Sequence, residues 1–202
     1  MKGIFTFMVA IMLSTPTFAA DISGKVGIAS DNIFRGVTMS DGIGYSAQGL
    51  VSLDNGIFAG AKVMSLNETS DLMTTTMVGY GFDLGGVDLN VAYVDRGYQG
   101  IDIDGWEEVG VSANFDLFGV YYAKGLDDAG DFYLVETSAL KVVDVAYGDW
   151  DNAGSYIEVS KSFDLAGGSV KVGFIDHDNN DEDLLDKVQD VDNFYVGYSY
   201  KF

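Results

Sequence analysis

The chain has 202 residues, with 31 acidic against 11 basic side chains, no cysteine and one histidine. A net charge of −20 argues against nucleic acid, which rewards clustered Lys and Arg. The missing cysteines exclude disulfides and thiolate chemistry, and His177 alone cannot build a multi-histidine metal centre.

The first element is a leader. Residues 1–19 carry an early Lys2, an apolar run from Ile4 to Leu13 and a small-residue site ending at Ala19. This is the layout of a cleaved secretory signal peptide. The apolar run is about half of the ~20 residues that a membrane helix needs. Cleavage removes Pro16, the only proline, so residues 20–202 read as one proline-free domain, as continuous hydrogen-bonded strands prefer.

From there the chain alternates. Val87, Leu89, Val91 and Tyr93 share one face, and Asp88, Asn90 and Ala92 the other. Val109, Val111, Ala113 and Phe115 oppose Glu108, Gly110, Ser112 and Asn114 in the same way. A period of two means strands with unlike faces. The pattern predicts strands near 22–33, 42–53, 57–65, 74–82, 87–96, 106–115, 118–125, 132–140, 142–149, 154–163, 169–177 and 191–202. About twelve strands are expected, with 8 or 10 as alternatives. Short turns fall at 54–56, 83–86, 116–117, Lys141 and 164–168. Longer polar connections fall between them, at 35–42, 66–73, 97–105, 126–131, 148–154 and 176–190. Tight turns at one end and long loops at the other predict an antiparallel transmembrane β-barrel with short periplasmic turns and longer extracellular loops. A soluble β-sandwich or lipocalin-like barrel is the competing reading. It has less use for so many Tyr and Phe at strand ends, where a membrane barrel needs girdles.

The final strand alternates Phe194, Val196, Tyr198, Tyr200 and Phe202 with Asn193, Tyr195, Gly197, Ser199 and Lys201. A barrel closes by pairing its last strand with its first, leaving no edge in lipid. The apolar set is expected to face lipid.

After the first strand stand Ser30, Asp31, Phe34, Arg35, Gly36, Thr38 and Ser40, followed by Gln48 and Gly49. This motif resembles that of the TorF-like porin family of proteobacteria, with Asn32 where an aromatic residue is usual. The resemblance implies an exported barrel in the bacterial outer membrane. A chain ending on Tyr198, Tyr200 and Phe202 also resembles the terminal signature that the barrel assembly machinery recognises. Lipid and lipopolysaccharide are then expected partners.

The candidates for lining or constricting the lumen are Arg35, Lys62, Asp88, Arg96, Glu108, Glu136, Glu158 and Lys171. Arg35 is expected to reach inward and pair with Glu108 or Asp88, since a fixed guanidinium pairs well with carboxylates. His177 beside Asp176 and Asp178 reads as solvated in a long loop rather than catalytic. Asp176, Asp178 and Asn180 match the first spacings of a calcium loop, but Asp181 and Lys187 break it. No enzyme activity, metal or cofactor is expected. Two functions stay open: a passive diffusion channel for ions or small hydrophilic solutes, and a non-conducting structural or adhesive barrel acting through its loops. If the barrel conducts, the acid of its loops, including Asp127, Asp128, Asp181, Glu182 and Asp183, predicts a preference for cations.

Overall fold

Strands with one apolar and one polar face have no stable open form in lipid, because the edge groups would go unpaired. The computed structural model describes residues 20–40, 42–66, 71–102, 104–126, 129–140, 142–151, 153–178 and 193–202. The predicted leader and the loop residues 127, 128 and 181–183 lie outside them, as does the failed calcium loop beyond Asp178. In chain order the strands are β1 (Ala20–Ala29), β2 (Ile33–Phe34), β3 (Val37–Thr38), β4 (Gly44–Leu53), β5 (Ile57–Ser65), β6 (Leu72–Asp83), β7 (Asp88–Gln99), β8 (Trp106–Asn114), β9 (Phe118–Gly125), β10 (Phe132–Thr137), β11 (Asp144–Trp150), β12 (Gly154–Leu165), β13 (Gly168–Asp178) and β14 (Asn193–Lys201). Among the described residues all but β2 and β3 form one closed antiparallel barrel of twelve strands, each paired with its neighbours in sequence and β14 with β1. Twelve strands is the expected count rather than 8 or 10.

Following the hydrogen-bond register once round the wall displaces the path by about 16 residues, which sets a strand tilt of roughly 43° and a backbone radius of roughly 12–13 Å. That lumen is wide enough to admit a two-stranded hairpin whose strands lie about 5 Å apart.

The outer face is apolar. Phe194 and Phe202 are 76% and 71% exposed. Near the turns, Phe115 stacks on Phe118 at 4.2 Å and Tyr80 lies 6.0 Å from Phe82. Nearer the loops, Phe174 lies 4.7 Å from Phe194 and Tyr133 5.9 Å from Tyr147. Between these two belts the outward residues are mostly aliphatic, among them Val26, Val78, Val111 and Val172. Two aromatic belts around an aliphatic band are what a lipid-facing barrel wall requires.

The closing strand pairs as expected. Phe202 N–H donates to Gly24 O at 3.0 Å, and Gly24 N–H donates to Phe202 O at 2.9 Å. The Phe202 ring covers Gly24, where a Cβ would come within 2.4 Å of it.

Three expectations are corrected. The first strand does not run to residue 33; it stops at Ala29, and residues 33–38 form the separate β2–β3 hairpin. The supposed long connection at 148–154 is only the three residues between Trp150 and Gly154, because β11 and β12 pair right up to that point. His177 is not a solvated loop residue; it lies on β13, paired with Tyr156 in register, and is buried.

Candidate functional site

The connection from β1 to β4 turns back into the barrel. Ile33 pairs with Thr38 and Phe34 with Val37, leaving a two-residue turn at Arg35 and Gly36. Both have positive φ, 51° and 84°, as a tight hairpin turn of the type I′ class demands. Glycine fits such a turn at no cost, whereas Arg35 is strained by about 1–2 kcal/mol. A Cβ on Gly36 would also meet the Tyr156 ring at 2.5 Å.

Adjacent residues on a strand point to opposite sides, so Ile33 and Phe34 engage opposite walls. Ile33 packs on the buried cluster of Ala123, Phe132, Tyr156, Ile175 and Tyr195. Phe34 and Met39 pack on Met64, Leu66 and Met73. The hairpin thereby bridges two small apolar cores inside the lumen. Its root is pinned by Asn32, whose Nδ2 donates to Ser65 O at 2.9 Å, Ser65 Oγ at 3.1 Å and Tyr45 O at 3.2 Å. Asn32 N–H donates to Ser40 Oγ at 2.7 Å, and Met39 N–H to Asn32 O at 2.7 Å. The sequence motif at 30–40 thus encodes an inward plug.

At the tip of the plug, Arg35 Nη2 donates to both oxygens of Glu108, at 2.8 and 2.7 Å. Arg96 Nη1 lies 2.7 Å from Glu108 Oε1, and Tyr121 Oη donates to the same oxygen at 3.0 Å. Glu108 is 1% exposed, and Arg35 and Arg96 are each 8% exposed. Arg35 and Arg96 both stay charged, since a guanidinium does not give up its proton in a protein. Aromatic faces complete the enclosure. Arg35 Cζ sits 4.1 Å from the Phe132 ring and 5.2 Å from Trp150, while Arg96 Cζ is 5.2 Å from Phe34 and 5.5 Å from Trp106. Trp106 and Trp150 are 5.5 Å apart, and Tyr98 is 5.8 Å from Trp106.

A second polar group lies on β12–β14. Lys171 Nζ pairs with Glu158, which also accepts from Tyr195 Oη at 2.7 Å. Toward the turn end the wall divides by charge. Lys25 lies within electrostatic reach of Lys201 and Lys171, and Lys62 within reach of Lys25 and Arg96. The four lysines stand on β13, β14, β1 and β5. On other strands, Asp88 faces Asn114 in register, and Glu136 and Asp144 border a recess of about 260 Å³ together with Asn114 and Ser138.

The structure places Lys62, Asp88, Arg96, Glu108, Glu136, Glu158 and Lys171 on the inward side of their strands and brings Arg35, Arg96 and Glu108 together. Of the two expected partners, Glu108 takes Arg35; Asp88 stands on the wall nearer the turns. Tyr198 and Tyr200 lie on the outward side of β14 with Phe202 beyond them. Lys25, Trp106 and Trp150 were not singled out in the sequence, and Phe34 stood there only as a residue of the motif. Lys25 was legible, because it alternates with Val26 and Ile28; the aromatic residues were not, because they gather from distant strands.

No protein-family model and no curated protein matches the chain. Among solved structures, the KdgM porin matches at a TM-score of 0.56 and 13% identity, over 89% of this chain and 99% of that one. An engineered variant of the Rhodopseudomonas blastica porin matches at a TM-score of 0.39 and 12% identity, over 92% of this chain and all of the other. The chain therefore has a porin-like barrel fold, with the first of these as a structural neighbour.

Proposed function

We propose that the protein is a passive diffusion channel of the bacterial outer membrane for ions or small hydrophilic solutes, and a member of the TorF-like family. The observation that carries this reading is a closed barrel with an apolar wall and an inner face of charged and amide side chains, from Lys25, Lys62 and Lys201 to Asp88, Asn90, Glu136 and Asp144. A wet polar lumen inside an apolar cylinder is useful for passage rather than for strength. The β2–β3 plug narrows the end nearer the loops, so conductance should be small. Lipid and lipopolysaccharide surround the wall, the assembly machinery reads the strand ending at Phe202, and the exported form begins after the leader. Single-channel recording in planar bilayers tests the function: discrete conductance steps support it.

The plug itself favours a second reading, a non-conducting barrel that acts through its loops. Its ion pairs and its two apolar contacts fill the lumen at one level. A folded, heat-modifiable protein that inserts into bilayers and gives no steps would select that alternative.

A further inference from the structure

Glu108 is saturated, but the cations around it are not. Arg35 Nη1, Arg96 Nε and Trp106 Nε1 are buried and have no hydrogen-bond partner in the protein. All three groups border one ring: Arg35 Cζ and Arg96 Cζ lie 5.3 and 5.2 Å from the Phe34 centroid, and the Trp106 ring lies 6.1 Å from it. Native proteins rarely leave buried donors unpaired. Charge is also unbalanced. Two guanidinia face one carboxylate, and Lys62, which is within electrostatic reach of Arg96, has the same sign as they do. The Phe34, Trp106, Trp150 and Tyr98 rings are only partly buried and offer apolar faces beside the donors.

We propose that this cluster binds a small organic monocarboxylate. Its carboxylate oxygens accept hydrogen bonds from the orphaned guanidinium and indole N–H groups, and its carbon skeleton lies on the rings. The charge selects the class. One negative charge neutralises the excess, whereas a dianion such as phosphate overshoots beside Glu108. A neutral molecule or a water satisfies an N–H but leaves the charge uncompensated. The planar fork of arginine suits a carboxylate. This inference does not rest on conduction, since the site lies within the plug whether or not solute passes beyond it.

The chain has two tryptophans, and both line the site, so intrinsic emission reports on it directly. Detergent-folded protein is titrated with sodium propionate, propionamide and inorganic phosphate at constant ionic strength. Propionate should change the emission saturably, and the amide and phosphate should need at least tenfold higher concentration. Arg96→Gln should weaken propionate binding at least tenfold, whereas Lys171→Gln, on the other polar group, should leave it unchanged. If Arg96→Gln does not fold, the comparison of propionate with propionamide on the unmodified protein decides alone. Equal curves for acid and amide, tighter binding of phosphate, or no response to propionate would each overturn the proposal.

Discussion

Changing Glu108 to Gln removes the one negative charge between two buried guanidinia. Removing one partner of a buried ion pair costs about 3–5 kcal/mol, because the remaining charge is left uncompensated. Gln keeps an acceptor for Arg35, so the lower end applies, and about 3 kcal/mol is on the order of a 100-fold change in an equilibrium constant. The cost should fall on the plug, not on the wall. The wall is held by its twelve-strand ladder, whereas the hairpin has only two paired positions of its own. The assay is amide hydrogen exchange over residues 33–39 in the folded barrel, which reads local opening. Exchange there should accelerate on the order of 100-fold, while the unboiled protein keeps its folded mobility on gels. Arg96→Met is the matched control, since it leaves Arg35 and Glu108 as a neutral pair; it should open the hairpin less. Unchanged exchange in Glu108→Gln, or greater opening in Arg96→Met, would refute the argument that the triad seats the plug.

Three further outcomes are expected. Deleting Phe202 or replacing it with Asp should lower outer-membrane levels several-fold more than Lys201→Gln, because only Phe202 covers Gly24 at the closing seam; fractionation checks it, and equal levels would remove any special role for the terminal ring. If the barrel conducts, the joint change of Lys25 and Lys62 to Gln should raise cation preference in a KCl gradient, most at low salt where screening is weakest; an unmoved reversal potential would show that these lysines lie off the ion path. Asp131, between β9 and β10, accepts from Lys124 Nζ at 3.0 Å and Tyr122 Oη at 2.7 Å, which hold its carboxyl below the usual range. The folded value is depressed, so this stabilisation is present above the unfolded value and is lost as pH falls through the folded one. Exchange at Gly125 and Asp131 should therefore accelerate, after correction for intrinsic rates, only at acid pH, and Asp131→Asn should abolish that step.

The wall was legible because a period of two is written locally. Nine residues of β8 suffice to show which side faces lipid, and the register then follows from the turns. The plug was not legible, for physical reasons that lie in three residues. Its turn is Arg35-Gly36 rather than the Asn-Gly or Asp-Gly that announces a tight hairpin, and its strands are two residues each. Asn32, which departs from the family pattern, turned out to pin the root of the hairpin to β4 and β5. The pairing of Arg35 with Glu108 was open to chemical reasoning, since a lone inward guanidinium needs a carboxylate. The aromatic enclosure was not, because Phe34, Trp106, Phe132 and Trp150 meet only once the sheet has closed.

That last point bears on the order of events in assembly. The hairpin follows directly after β1, yet Arg35 finds its carboxylate 73 residues later, on β8. Its aromatic neighbours come from β10 and β11, and the ring that covers Gly36 comes from β12. None of this seat exists while the first strands are being laid down, and contacts so far apart in sequence form slowly. The seat of the plug therefore belongs to the folded wall: β8, β10, β11 and β12 must all be in place before Arg35 and Gly36 have their partners.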